Sequence, residues 1–227
     1  MEFNKLAIII PAFNEAETIS NVIASVSRLG TVIVVDDGSI DCTADVARSS
    51  GAITVSHKIN LGYEQALNSG FEQANALGMA NIITMDADGQ HKAKCVAKVA
   101  QALTENYQLV LGVRHKTQRI SEKIFQRVTS RLWEWRDPLC GLKGYSIDLY
   151  RNAGFFDRHH SAGIELAFFG LSNGYKCKQI EILVADRADA PRFASTLRAN
   201  WRILRSLLRV LFQKNSLLKN SNQDNLR

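Results

Sequence analysis

The chain has 227 residues, of which 46% are hydrophobic and 22% charged, and its formal net charge is +6. This composition excludes a disordered or fibrous protein and suits one α/β domain. Its four cysteines lie far apart and form no C-x-x-C pair. We therefore expect neither a zinc site nor a disulfide framework, but free thiols in a reducing compartment. The sequence also contains no signal-peptide pattern and no apolar run of about 18 residues, so no membrane-spanning helix is expected.

The positive charge is concentrated in two segments. Residues 114–136 contain seven Lys or Arg and two acidic residues, and residues 187–227 contain nine and two. The rest of the chain is net acidic, which indicates an acidic body whose two basic segments meet anionic partners. Nucleic acid is not favoured as a partner, because neither segment alternates basic and aromatic residues as a base-stacking surface does.

The first half of the chain alternates predicted strands and helices. The strands are expected at 6–12, 31–35, 52–55, 81–85 and 108–112, and the helices at 14–26, 42–50, 63–78 and 92–105. The first helix has an apparent capping box, Asn14 with Glu17. The alternation predicts a mostly parallel sheet with helices on both faces. Ligands of such sheets bind beyond the carboxyl ends of the strands.

The second half is less regular. It predicts a helix at 120–135, a loop at 137–141, a strand or hairpin at 142–147, a helix near 163–173, a strand at 178–184 and a basic helix near 194–213. Gly174 follows the 163–173 helix at the position where a left-handed residue ends a helix. No repeat or linker interrupts the chain, so we expect a single domain over 1–213 and a disordered tail over 214–227.

An acidic turn follows the fourth predicted strand. Asp86 and Asp88 are two residues apart, so an extended chain directs both to the same side, and Gln90 and His91 come next. Mg²⁺ prefers such oxygen ligands and usually takes one or two carboxylates together with substrate phosphates. The turn therefore predicts a divalent metal bound with a diphosphate. The plain alternative is an acidic turn that only caps a helix.

A second acidic cluster, Asp36-Asp37-Gly38-Ser39, ends the second predicted strand. Adjacent carboxylates on a strand point to opposite sides, so one can contact a ligand while the other accepts from a base or from backbone amides. The alternative is a simple helix-entry turn. No G-x-G-x-x-G follows the first strand and no P-loop sequence occurs, which disfavours dinucleotide and P-loop chemistry.

Three motifs together resemble the family 2 glycosyltransferases of GT-A fold, in particular the branch of dolichyl-phosphate mannose synthases and polyprenyl-phosphate glycosyltransferases. The motifs are IIIPAFNE at 8–15, VVDDGSIDCT at 34–43 and DADGQH at 86–91. A looser match continues through 112–114, 137–141 and 187–193. The resemblance implies a GT-A sheet, with residues 1–115 as the nucleotide-sugar-binding half and 116–213 as the half that faces acceptor and membrane.

The resemblance also implies roles for individual residues. Contacts to a GDP- or UDP-linked sugar would come from Pro11, Ala12, Asn14, Glu15, Asp36, Asp37, Gly62, Asp86 and Ala87. Asp86, Asp88 and Gln90 would hold Mg²⁺ or Mn²⁺ at the donor diphosphate, with Asp88 essential for catalysis. Arg187 and Arg192 would neutralise the donor phosphate as the bond to the sugar breaks.

The acceptor decides whether a base is needed. Direct displacement inverts the anomeric carbon, and a lipid phosphate is already ionised, so it needs no strong base. A hydroxyl acceptor must lose its proton to a carboxylate. The candidates from the second half are Asp137 and Glu165. As an alternative, Glu165 is a surface residue favoured by the start of its helix.

Two basic amphipathic segments favour the lipid acceptor. Apolar and basic residues recur at helical spacing in 119–135 and 197–212, as in helices that lie on an anionic membrane surface. The alternative is packing on the body with a solvated charged face. Arg119 and Arg127 are the candidates for the acceptor phosphate.

We therefore expect a glycosyltransferase in the cytoplasm, peripherally associated with the membrane. Its partners would be a nucleotide sugar, a polyprenyl or dolichyl phosphate and the anionic membrane surface; a membrane-protein partner and a homo-oligomer stay open. Two alternatives remain. The same fold could glycosylate a hydroxyl of a glycan or lipid-linked saccharide, or the chain could be a non-catalytic nucleotide-sugar-binding subunit.

Overall fold

The computed structural model describes residues 5–114, 120–158, 161 and 163–183. Its strands are β1 Leu6–Ala12, β2 Thr31–Asp36, β3 Ile53–Ser56, β4 Asn81–Thr84, β5 Leu109–Arg114, β6 Lys143–Ser146 and β7 Cys177–Ile182. Its helices are α1 Ile19–Val26, α2 Thr43–Ser49, α3 Tyr63–Ala76, α4 Ala93–Thr104, α5 Ile120–Trp133, α6 Ile147–Ala153 and α7 Glu165–Ser172. The predicted basic helix near 194–213 and the tail lie outside the described residues.

The described strands form one mostly parallel sheet in the order β3-β2-β1-β4-β6-β5-β7. β1 pairs in parallel with both β2 and β4, and β5 pairs in parallel with β7. β6 is antiparallel to both of its neighbours, β4 and β5. The predicted mostly parallel α/β sheet is therefore confirmed, and 142–147 contains a strand in the middle of the sheet.

Two apolar cores cover the two faces of the sheet. Along β1, Ile8 and Ile10 pack with α1 and α4 on one face, and Ala7 and Ile9 pack with α3, α6 and α7 on the other. All four side chains are fully buried. A strand buried on both faces is apolar at every position instead of alternating, which is why the run at 6–12 predicted β1 correctly.

The prediction that Asn14 caps the first helix is wrong. α1 begins at Ile19 after Thr18, and Asn14 has a φ of +55° within the preceding loop. Asn tolerates this left-handed conformation better than most residues. Its side chain bonds to another loop instead of to the helix, as described below. The sequence prediction also missed α6, although Ser146 caps its start and Gly154, with a φ of +73°, ends it.

Candidate active site

The polar motifs come together at the carboxyl edge of β2, β1 and β4. Ala12, at the end of β1, lies opposite Asp36, at the end of β2. The backbone N–H of Met85 donates to the carbonyl of Ile9, which places the acidic turn beside the other two loops. The sheet therefore brings the three motifs to one edge, as the rule for parallel sheets predicts.

The loops after β1 and β2 are joined by side-chain hydrogen bonds. The backbone N–H of Asn14 donates to Ser39 Oγ at 2.9 Å, and the N–H of Ile40 donates to Asn14 Oδ1 at 2.9 Å. The N–H of Glu15 donates to Thr43 Oγ1 at 2.8 Å. These bonds make the two loops one unit directly after Pro11 and Ala12, so the predicted donor residues on both loops are neighbours.

Asp37 holds the loop that leads into α3. Its carboxylate contacts His57 Nδ1 at 2.7 Å and accepts from the backbone N–H groups of Leu61 and Gly62 at 2.9 and 2.8 Å. His57 Nε2 contacts Ser69 Oγ at 2.9 Å. Asp37 therefore binds backbone amides, which is one of the roles that the sequence left open for a member of the acidic pair. Its contact with a base or ribose stays a prediction.

Asp36, the other carboxylate of the second acidic cluster, and Gly62, just before α3, are two further predicted donor contacts. Asp36 is buried, and its Oδ1 accepts from the N–H of Ser39 at 3.2 Å. Gly62 has a φ of +97°, which favours glycine there. The backbone N–H of Gly62 donates to the Asp37 carboxylate, whereas Asp36 is bonded to its own loop.

The first carboxylate of the acidic turn lies between two donors. The Tyr63 hydroxyl donates to Asp86 Oδ1 at 3.3 Å, and His91 Nε2 lies 3.3 Å from Asp86 Oδ2. Burial raises the pKa of Asp86, but the hydrogen bond and charge of His91, with help from Lys143, outweigh burial and hold that pKa below its ordinary value. Burial and the Asp86 charge raise the pKa of Tyr63 well above its ordinary value, so the phenol stays protonated.

The loop at 137–141 lies against the acidic turn. Thr84 Oγ1 donates to the carbonyl of Gly141 at 2.8 Å, and a Cβ added to Gly141 would lie 2.3 Å from Asp86 Oδ2. Lys143, just beyond the loop, is 4% exposed and donates to the carbonyl of Gly163 at 3.2 Å. Sequence reasoning missed Lys143, because a single Lys in a short strand gives no sign that it is buried.

The donor set of the acidic turn fits a divalent ion that is shared with a diphosphate. The turn offers the carboxylates of Asp86 and Asp88 and the amide oxygen of Gln90, while Ala87 between them is buried. Among the described residues, no group of three or more His, Cys, Asp or Glu side chains is placed to hold a metal ion. Mg²⁺ usually takes only one or two protein carboxylates together with substrate phosphates and water.

Asp137, one of the two candidate bases, is held in a buried ion pair. Arg114 donates to its carboxylate from Nε at 2.7 Å, from Nη2 at 2.9 Å and from the backbone N–H at 3.0 Å. Asp137 is 1% exposed. Burial lowers the pKa of Arg114, but the pairing with Asp137 outweighs burial and raises that pKa above its ordinary value. The geometry favours a structural role for Asp137, and its role as a base stays a prediction.

Glu165, the other candidate base, is buried at the first position of α7, so the alternative of an exposed surface residue is wrong. Its carboxylate accepts from the backbone N–H of Arg158 at 2.8 Å. The neighbouring Asp157 accepts from the N–H groups of Ser161 and Gly163. Burial, and then the charge of Glu165, raise the pKa of Asp157. The two carboxylates therefore organise the loop at 157–165.

The candidate acceptor residues are only partly described. Arg127 is exposed on α5, on the same side as Lys123, Ile124, Arg131 and Leu132, which are exposed too. Arg119, Arg187, Arg192 and the segment 197–212 lie outside the described residues. Within the part of the chain that the structure describes, no helix is long and apolar enough to cross a membrane.

Residues 7–164 match the model of a protein family described as "Glycosyl transferase family 2". The chain is 39% identical over 118 residues to an uncharacterized protein of Methanocaldococcus jannaschii, covering 50% of this chain and 49% of that protein. It is 32% identical over 129 residues, 48% of this chain and 51% of the relative, to a UDP-N-acetylglucosamine–dolichyl-phosphate N-acetylglucosaminyltransferase of Methanococcus voltae.

A third relative is matched over more of the chain. An undecaprenyl-phosphate 4-deoxy-4-formamido-L-arabinose transferase of Edwardsiella ictaluri is 29% identical over 201 residues, 79% of this chain and 59% of that protein. The chain spans about half the length of the first two of these curated relatives and 59% of the third.

Among solved structures, the fold is similar to that of glucosyl-3-phosphoglycerate synthase from Mycobacterium tuberculosis. The complex of that protein with Mn²⁺ and UDP-glucose has a TM-score of 0.71 and 25% identity, covering 91% of this chain and 78% of that one. Its complex with Mn²⁺, UDP and glucosyl-3-phosphoglycerate has a TM-score of 0.73 and 24% identity, covering 92% and 79%. The predicted GT-A fold is confirmed by this likeness.

Proposed function

Because the chain belongs to glycosyl transferase family 2 and is a glycosyltransferase, we propose that it transfers a sugar from a nucleotide diphosphate donor to a polyprenyl or dolichyl phosphate. The observation that carries the proposal is the acidic turn, which lies at the same carboxyl edge of the sheet as the joined loops after β1 and β2. Two of the relatives are named as transferases that act with dolichyl phosphate or undecaprenyl phosphate.

The donor binds across this edge in the proposal. The joined loops containing Asn14 and Asp36 contact the nucleoside, and the acidic turn meets the diphosphate. Asp86, Asp88 and Gln90 would hold Mg²⁺ or Mn²⁺ there, and the ion would supply Lewis-acid stabilisation of the leaving diphosphate. Arg187 and Arg192 neutralise the remaining charge. Such contacts accelerate the reaction because they strengthen as negative charge develops on the leaving group.

The acceptor oxygen attacks the anomeric carbon from the side opposite the diphosphate, which inverts that carbon. A lipid phosphate is ionised at neutral pH, so no side chain has to remove a proton. This agrees with the buried ion pair at Asp137, which leaves that carboxylate engaged by Arg114. Arg119 and Arg127 are proposed to contact the acceptor phosphate.

A membrane surface is the proposed place of reaction, at the cytoplasmic face. The exposed side of α5 combines Lys123, Arg127 and Arg131 with the apolar side chains Ile124 and Leu132, which are 46% and 38% exposed. A basic residue near an anionic surface contributes about 1 kcal/mol. Reversing two of them should therefore weaken binding by at least about 2 kcal/mol, or roughly 30-fold.

The membrane proposal is tested by flotation with anionic vesicles at low and physiological salt. The Lys123→Glu/Arg131→Glu variant should lose salt-sensitive flotation. Lys94→Glu/Lys98→Glu is the matched control, because it changes the same charge at two exposed positions of α4. Equal flotation of both variants would show that α5 does not face the membrane.

A hydroxyl acceptor is the second candidate. The observation that favours it is the burial of the candidate base Glu165 next to a second buried carboxylate, Asp157, whose own pKa is raised by burial and by the charge of Glu165. One screen distinguishes the lipid-phosphate acceptor from the hydroxyl acceptor. UDP- and GDP-linked sugars are incubated with polyprenyl phosphate or with soluble hydroxyl acceptors, and product is measured with wild type, Asp88→Asn and Glu165→Gln. Transfer only to hydroxyls, lost in Glu165→Gln, would replace the lipid-phosphate proposal.

The same screen tests catalysis itself. Asp88→Asn should abolish transfer without loss of the fold, and EDTA should abolish transfer by the wild type. Full activity in EDTA would contradict the metal-dependent mechanism. Absence of transfer with every donor, despite nucleotide-sugar binding, would instead favour a non-catalytic binding subunit.

A further inference from the structure

We propose that Tyr63 and His91 are positioning residues that fix the orientation in which the Asp86 carboxylate binds the divalent ion. The inference rests on the proposed function, since it takes Asp86 as a metal ligand. Neither residue was singled out as a site residue by the sequence. Both are separate from Asp86 in the chain, Tyr63 as the first residue of α3 and His91 five residues after Asp86.

The two donors contact different oxygens of the Asp86 carboxylate. The Tyr63 hydroxyl contacts Oδ1 and His91 Nε2 contacts Oδ2, each at 3.3 Å. An ionised carboxylate has about four lone-pair sites. One donor on each oxygen fixes the carboxylate plane and leaves lone pairs on both oxygens for a cation. Groups that orient a metal ligand in this way commonly change metal affinity by about 10–100-fold.

His91 is built to act as a donor to Asp86. Its side chain is 4% exposed, and its Nδ1 has no hydrogen-bond partner among the described residues. The Asp86 carboxylate can only accept, so the Nε2–H of His91 is the donor in this contact.

Tyr63 is held on its other side by the loop at 157–165. A Cβ added to Gly163 would lie 3.2 Å from Tyr63 Cε1, and Gly163 has a φ of +67°, which disfavours larger residues. The carbonyl of Gly163 in turn accepts from Lys143. The phenol ring is therefore packed between this loop and the acidic turn, and its hydroxyl has a fixed direction toward Asp86.

The test measures Mn²⁺ binding to the full chain by electron paramagnetic resonance, with and without UDP or GDP. Tyr63→Phe removes one hydroxyl and keeps the ring, and His91→Leu removes the second donor. Each should raise the dissociation constant of Mn²⁺ about 10-fold. His91→Gln is the rescue variant, because its amide nitrogen can occupy the position of Nε2 and should restore most of the affinity. Thermal melting of every variant checks that the fold is retained.

The outcomes separate this inference from the proposed function. If the wild type and Tyr63→Phe bind Mn²⁺ equally while Asp86→Asn does not bind, Asp86 is a ligand but the positioning role is overturned. If His91→Gln binds as weakly as His91→Leu, ring packing and not the hydrogen bond accounts for His91. If the wild type binds no Mn²⁺ with either nucleotide, the metal-dependent function and the positioning role both fail.

Discussion

Replacing Gly141 by alanine should disrupt the acidic turn, although Gly141 is not one of the residues of that turn. The added Cβ would lie 2.3 Å from Asp86 Oδ2 and 2.6 Å from Oδ1, whereas ordinary contact begins at 3.4 Å. Either the carboxylate or the 137–141 loop must therefore move by about 1 Å, a displacement that can cost roughly 100-fold in rate when it misplaces a reacting group. We expect Gly141→Ala to lower sugar transfer by that factor and to weaken Mn²⁺ binding.

Gly144→Ala is the matched control for this prediction. Its Cβ would lie 2.6 Å from Val99 Cγ1 in the apolar core, away from the acidic turn. Both substitutions overpack the protein and should cost about 1–3 kcal/mol of stability. Thermal melting, Mn²⁺ affinity and initial transfer rates are measured at a temperature where both variants are folded. Equal rates per folded molecule in the two variants would refute the argument that Gly141 makes room for Asp86.

Further predictions concern the buried ionisable groups and thiols. Asp137→Asn removes the negative charge that is the main partner of Arg114, so it should lower the free energy of unfolding by about 3 kcal/mol in urea titrations. The folded fraction of this variant should keep its transfer activity. Complete loss of transfer in folded protein would support a base role for Asp137 instead. Burial raises the pKa of Cys140 from 9.0 to about 12, so the unfolded chain loses its thiol proton first and the free energy of unfolding should fall between these pH values. Cys140→Ala should flatten that fall in unfolding experiments at pH 8 and 10.5, and an unchanged slope would contradict it. In native protein, iodoacetamide should alkylate the exposed Cys42 well before Cys140, as peptide mass mapping can establish.

The strands of the first half were predictable because their pattern of residues reflects how each strand is buried. β1 is apolar at every position, and within three residues of the ends of β1, β2 and β4 the sequence changes to Asn, Asp and Glu. Burial on both faces requires the first pattern, and ligand binding at the carboxyl edge favours the second. The family resemblance rests on the same residues, so fold and candidate donor site could be inferred together.

Contacts between distant residues were not predictable in the same way. Asn14 has the right type and spacing for a helix cap, but a partner 26 residues away, the N–H of Ile40, binds its side chain. Tyr63 has the apolar character of a core residue, and nothing near it in the sequence indicates that its hydroxyl meets Asp86. Local pattern gives the residue types at a site, whereas long-range packing decides which of them touch.

The antiparallel direction of β6 explains how the second half of the chain reaches the carboxyl edge of β4. Lys143, at the start of β6, lies opposite Thr84, at the end of β4. The loop that enters β6 therefore arrives at the carboxyl end of β4, which places Gly141 against Asp86. If β6 were parallel to β4, its entry loop would lie at the opposite edge of the sheet, a full strand length away. One reversed strand thus brings a loop of the second half to the acidic turn of the first, which is where the proposed donor diphosphate and an acceptor held by the second half would meet.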